Sequence, residues 1–134
     1  MNSIQGISPE ETWPIRHKVM WSDKPFDYVK VPNDQIGEHF GLFRESKLVS
    51  IISLFFVGNE MQFRKFATLV ECQGQGFGTE LLNYVFEMAE SRNVRRVWCN
   101  ARVDKTEYYK RFGMQETEET FEKGGIGYVV MEKI

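Results

Sequence analysis

Apolar residues along this chain alternate between two periods, and the switches between them divide it into elements. A short strand is predicted over Ser3 to Ile7. Ser8-Pro9-Glu10-Glu11 then reads as a helix start, with a serine cap, proline at the first helical position and glutamate three residues after the cap. The helix should run towards Val19, with Trp13, Ile15 or Arg16, and Val19 or Met20 near one face. Pro14 conflicts with this, because an interior proline removes a donor and clashes one turn back. The expectation is a kink or a late start. Residues 21 to 37, with Pro25, Pro32, Asn33, Asp34 and Gly37, carry no clean period and read as loop with at most one helical turn.

From His39 the period becomes that of strands. Phe40 to Phe43, Leu48 to Val57 and Met61 to Val70 are separated by the polar turns Glu45-Ser46-Lys47 and Gly58-Asn59-Glu60. They predict a three-stranded antiparallel meander whose long central strand is apolar enough to be covered on both faces. Thr79 to Arg92 returns to helical spacing through Leu81, Leu82, Val85, Phe86, Met88 and Ala89. A strand over Arg95 to Ala101, a short helix over Lys105 to Phe112 stopped by Gly113, and a hairpin of Met114 to Phe121 with Gly127 to Met131 complete the chain. The fold class is α+β with a mixed sheet.

Length and charge narrow the functions. A chain of 134 residues fits one domain, expected over 1–134, and 42% hydrophobic residues supply a core without staples. The formal charge of -2 offers no global attraction to nucleic acid or anionic membrane. No polybasic run, RNA-binding aromatic signature or zinc-ligand spacing is present, so neither a nucleic-acid partner nor a metal is expected. Cys99, within Val97-Trp98-Cys99, reads as a small buried hydrophobe. Cys72 adjoins a glycine loop without an evident histidine partner. The N-terminus lacks the basic and apolar regions of a signal peptide, and no run reaches the ~18 apolar residues of a membrane span. No membrane association and a cytoplasmic location are the expectations.

The strongest chemical signal is the loop Gln73-Gly74-Gln75-Gly76-Phe77-Gly78, between a strand and a long amphipathic helix. Glycines at 74, 76 and 78 let the backbone adopt positive φ and approach a bulky anion. Unpaired N–H groups around Phe77 to Thr79 then face that anion with the helix dipole behind them. A Walker loop is excluded because Gly78 is followed by Thr79-Glu80 rather than Lys-Ser/Thr. The dinucleotide fingerprint lacks its last glycine and its parallel βαβ setting. The remaining pattern, Q/R-x-x-G-x-G/A after the fourth strand, resembles the coenzyme A pyrophosphate loop of the GNAT superfamily of N-acetyltransferases.

The resemblance extends through Cys99-Asn100-Ala101-Arg102 and Tyr108-Tyr109-Lys110-Arg111-Phe112-Gly113-Met114, which look like the superfamily's late strand and short tyrosine helix. It is strongest with the glyphosate N-acetyltransferase-like subgroup, where Ile15-Arg16-His17, His39-Phe40-Gly41, Arg64 and Ala67-Thr68-Leu69 also have counterparts. This resemblance implies the GNAT fold, a mixed, mostly antiparallel sheet of about seven strands flanked by helices. It implies acetyl-CoA as cosubstrate and direct transfer to a primary or secondary amine of a small, anionic acceptor. Tyr109 would be the general acid that protonates the leaving thiolate, a role open to a phenol protonated at neutral pH. Tyr108, turned differently on the helix, would be core. Ala67, Thr68 and Leu69 would hold the pantetheine arm by their backbone, Gln73 to Thr79 the pyrophosphate, and Asn100 would assist near the arm.

Two positions depart from the subgroup. Its basic histidine has no counterpart, and Tyr128 most nearly takes that place, although a neutral phenol is a weak base. His17 and His39 match non-catalytic positions. Of three acceptor-binding arginines, Arg64 and Arg102 are matched and the first position holds Trp21. Superfamily domains often pair, so a homodimer is among the expectations. The alternatives are a catalytically weak acyl-CoA-binding sensor, a protein or peptide N-acetyltransferase, and a nucleotide-binding protein of another fold. Turnover, acceptor preference and ligand competition separate them.

Overall fold

The computed structural model describes residues 1–134. Strands β1 (Asn2–Ile7), β2 (Glu38–Arg44), β3 (Lys47–Val57), β4 (Glu60–Thr68), β5 (Arg96–Arg102), β6 (Gln115–Lys123) and β7 (Ile126–Lys133) form one sheet in the order β1-β2-β3-β4-β5-β7-β6. Helices α1 (Pro9–Ile15), α2 (Phe77–Ser91) and α3 (Thr106–Lys110) flank it. Each neighbouring pair is antiparallel except β4 and β5. The predicted mixed α+β sheet is therefore what forms.

The core sits around β3, where every residue from Val49 to Leu54 is buried and both α1 and α2 pack on the strand. A strand covered on both faces is apolar without alternation. Helix α2 presents Phe77, Leu81, Leu82, Val85 and Ala89 inward at helical spacing. It begins two residues before the predicted start, which places Gly78 inside its first turn.

Helix α1 begins where its capping box predicts. The Glu11 N–H donates to Ser8 Oγ at 3.3 Å and the Ser8 N–H to Glu11 Oε1 at 3.0 Å. Pro14 neither delays the start nor ends the helix. The disturbance appears after it, where the ladder widens into a π-helical turn over Arg16–Met20. The irregular stretch that follows holds two short turns, Phe26–Val29 and Asp34–Ile36, rather than one. Helix α3 is also shorter than predicted, its last turn yielding to Gly113 at φ 89°.

That irregular stretch is pinned by a buried polar cluster. Arg16, fully buried, donates to both carboxylate oxygens of Asp34 at 2.9 and 3.0 Å, to the Val29 carbonyl at 3.0 Å and to Ser53 Oγ at 2.8 Å. The Trp13 indole and the Val31 N–H also donate to Asp34, both at 3.0 Å. Burial pushes the Asp34 carboxyl up, but the hydrogen bonds from Arg16, Val31 and Trp13 outweigh it and hold the group below its ordinary value.

Two irregularities of the sheet shape the site. Strands β4 and β5 pair only from Glu60↔Arg96 to Gln62↔Trp98 and then diverge, while β5 stays paired with β7 through Arg102↔Tyr128. Further along, β4 bulges. The step from Ile51 to Ser53 on β3 faces the longer step from Ala67 to Arg64, and Lys65 takes φ 54°.

Candidate active site

The divergence of β4 and β5 opens a cleft of about 1300 Å³ running from the glycine loop to the hairpin of β6 and β7. Beyond Gln62 the β5-facing edge of β4 has no strand partner and lines the cleft at Ala67 and Thr68, whose carbonyls accept from Ser50 Oγ at 3.2 Å and from Gln73 Nε2 at 2.9 Å. Leu69 is buried behind this edge and its N–H donates to the Val49 carbonyl at 2.9 Å.

One end of the cleft is built from backbone. Gly74 and Gly76 take φ 78° and 87°, and a Cβ on either would meet no protein atom within 4 Å. None of the N–H groups from Gly74 to Thr79 has a backbone acceptor; the first helical bond is Glu80 N–H to the Gly76 carbonyl at 3.0 Å. Six donors thus surround the start of α2, a setting for a pyrophosphate that needs no lysine. Gly78 differs from the expectation of positive φ. Its backbone is helical, and a Cβ there would lie 3.1 Å from the Phe66 ring and 3.3 Å from Thr68 Oγ1. It permits close approach of α2 to β4. Gln73 closes the loop by donating to the Thr68 carbonyl at 2.9 Å, whereas Gln75 points away and bonds Arg44 and the Glu71 carbonyl.

Between the ends stand Tyr108 and Tyr109. The Tyr109 ring packs on Phe63 with centroids 5.7 Å apart. Burial, with Cys99 and Tyr108 nearby, pushes its phenol far above the ordinary value of 10, so the proton is retained at any physiological pH. Tyr108 is not wholly core as expected: it lines the cleft and its hydroxyl meets Thr79 Oγ1 at 3.1 Å. Cys99 is buried and its thiol is pushed up to about 12, the inert state expected of it. Cys72 is buried beside the loop.

The far end is built from side chains. Arg64 and Arg102 line it with Trp21, Tyr28, Phe121 and Tyr128. Trp21 packs edge-on to Tyr28 at 5.2 Å, and Tyr128 stacks on Phe121 at 5.1 Å. Lys65 and Lys123 project into the same region. None of these four cations forms an ion pair with a carboxylate of the protein. Sequence reasoning missed Lys65 because a lysine within a mixed strand carries no signal until the bulge is known. Asn100 also lines the cleft. The histidines lie elsewhere: His39 is buried between Ser53 Oγ at 2.7 Å and the Asp34 carbonyl at 2.9 Å, and His17 bonds the Lys24 carbonyl.

A seven-stranded sheet that splays over a glycine-started helix is an architecture shared with solved acyl-CoA N-acyltransferases. Residues 23–134 match the Acetyltransferase (GNAT) domain, and the chain belongs to this family. It is 31% identical to the uncharacterized N-acetyltransferase YitI of Bacillus subtilis, covering 99% of this chain and 96% of that protein. The fold matches an acyl-CoA N-acyltransferase from Pseudomonas aeruginosa with a TM-score of 0.81 at 15% identity, covering all of both chains. It also matches a Bacillus subtilis acetyltransferase in complex with CoA, at TM-score 0.74 and 14% identity, covering 98% of this chain and 97% of the other. The chain is thus an acetyl-CoA-dependent N-acetyltransferase of the GNAT family.

Proposed function

We propose that residues 1–134 act as one catalytic domain that transfers acetyl directly to the amine of a small acceptor bearing an acidic group, in a ternary complex. The observation that carries this reading is the pair of arginines, Arg64 and Arg102, free of carboxylate partners at the end of the cleft opposite the glycine loop. Guanidinium forks suit a carboxylate or phosphonate by bidentate pairing. The resemblance to the glyphosate N-acetyltransferase subgroup supports it through the same two positions. Trp21, in place of a third arginine, adds a flat apolar wall and shifts the acceptor away from that herbicide.

In this reading the pyrophosphate lies on the N–H groups of Gly74 to Thr79, and the pantetheine arm runs along Ala67 and Thr68 with Asn100 opposite. The acceptor amine attacks the thioester carbonyl, the C–N bond forms as the C–S bond breaks, and Tyr109 gives its proton to the departing thiolate. No histidine or glutamate lines the cleft, and its one carboxylate is Asp104. Tyr128 stands at the relative's base position, and the amine proton leaves to solvent through the open acceptor end. Thiol release from acetyl-CoA, screened over neutral, acidic and basic amines, tests this. Acidic amines should be turned over at least tenfold more efficiently. Preference for basic or peptide amines would overturn the acidic acceptor.

A further inference from the structure

Lys65 combines two unfavourable states in one residue. Its backbone sits at φ 54°, a region that L side chains other than Asn and Asp rarely adopt, fixed by the β4 bulge. Its side chain is half-buried among like charges. Arg64 faces it from β4, Arg16 from the π turn and Lys123 from β6, and the one nearby anion, Asp34, is already held bidentately by Arg16. No carboxylate pairs with its ammonium, and the Trp21 ring lies 5.7 Å from Nζ. Strained backbone and an uncompensated charge are two separate costs borne at this one residue, and strain of this kind clusters at functional sites.

We propose that Lys65 is a third acceptor-binding cation, which takes the acceptor's acidic group together with Arg64. The proposal rests on the acidic-acceptor reading above. Lys65, carried on the bulge, lines the cleft beside Arg64, and the Trp21 ring flanks its ammonium. Burial first, and then repulsion from Arg64, Arg16 and Lys123, lowers the amine to about 8, opposed only by Asp34. An incoming anion reverses the repulsion. The lysine is then protonated across a wider pH range, and acceptor binding weakens above pH 8 as the free site loses its charge.

Sulfate is the probe, with CoA saturating so that the glycine loop is filled. Calorimetry at pH 8 in two buffers of different ionisation enthalpy should show uptake of about half a proton by the wild type. Lys65→Met should weaken sulfate about tenfold and Lys65→Arg less than about threefold, both without proton uptake. Unchanged sulfate affinity in Lys65→Met, or no proton uptake by the wild type, overturns the role of Lys65. Loss in Lys65→Met with none in Arg64→Ala and Arg102→Ala would overturn the shared grip of Lys65 and Arg64 and remove the arginine reading, whereas loss in the arginine variants with none in Lys65→Met would remove Lys65 alone. Absence of sulfate binding to the wild type removes both. Should Lys65→Met fail to fold, labelling of the wild type with acetic anhydride, followed by mass spectrometry, decides. The Lys65 labelling midpoint should lie near 8 and move towards 10.5 with sulfate, and a midpoint indifferent to sulfate overturns the proposal.

Discussion

The two ends of the cleft are built by different means. The loop end presents backbone N–H groups on the first turn of α2, with side chains mostly out of the way. The hairpin end presents long cationic side chains and aromatic rings, set on a bulge, a strand end and an irregular segment. A backbone site tolerates drift in every residue except the glycines, so it suits a cosubstrate common to the family. A side-chain site changes identity with each substitution, so it suits an acceptor that differs among relatives. The comparison predicts that the two ends can be damaged separately.

Tyr109, at the junction, should give the largest kinetic effect. Tyr109→Phe is expected to lower kcat about 10²- to 10⁴-fold while leaving acetyl-CoA affinity within about twofold. Single-turnover kinetics with a calorimetric control would check it. Because the phenol's pKa is raised, its proton is present throughout pH 5–9 and the wild-type kcat profile should show no limb from this group. Equal losses in kcat and acetyl-CoA affinity would mean that the ring only packs, and the junction would belong to the loop end.

The next effect is on stability and belongs to the hairpin end. Asp34→Ala leaves Arg16 buried without its counter-ion and should cost about 3–5 kcal/mol, measured by denaturant unfolding. In the wild type the folded pKa of Asp34 lies below its ordinary 3.8, so its contribution is present above that value and is lost as pH falls through the folded pKa. Asp34→Asn should flatten that part of the acid unfolding curve. If it does not, other carboxylates carry the acid transition.

What the sequence revealed follows the same division. The element order and the loop were legible because each rests on a local rule: an unbroken apolar run in β3, a capping box at Ser8, glycine spacing before α2. The Arg16–Asp34 pair was not, because its partners are 18 residues apart and meet only when an unpatterned segment folds back on β3. Lys65 was hidden for a related reason: the register shift that carries it is a property of two strands together. The π turn after Pro14 was also out of reach, since the proline rule locates a disturbance without giving its form.

Removing one arginine should do less than either change above. Arg64→Ala or Arg102→Ala is expected to raise acceptor KM about ten- to a hundredfold, with acetyl-CoA affinity within about twofold. Steady-state kinetics at fixed, saturating acetyl-CoA would show it. A rise in the acetyl-CoA dissociation constant of similar size would join the two ends and undo the comparison.

The smallest effect separates two uses of glycine within the loop end. At Gly76, with φ 87° and open space around it, alanine meets no atom of the protein, so the loss is conformational, about 1 kcal/mol. The added methyl also stands where the anion must approach, and CoA affinity should fall about tenfold with acceptor KM unchanged. At Gly78 the backbone is helical and an alanine is unstrained there, but its Cβ would press on the Phe66 ring at 3.1 Å. Gly78→Ala should therefore shift α2 slightly from β4 and disturb CoA affinity through Thr68 rather than through the loop. Pairing each variant with Thr68→Val distinguishes the routes. The effects of Gly76→Ala and Thr68→Val on CoA affinity should add, whereas those of Gly78→Ala and Thr68→Val, at residues in contact, should not.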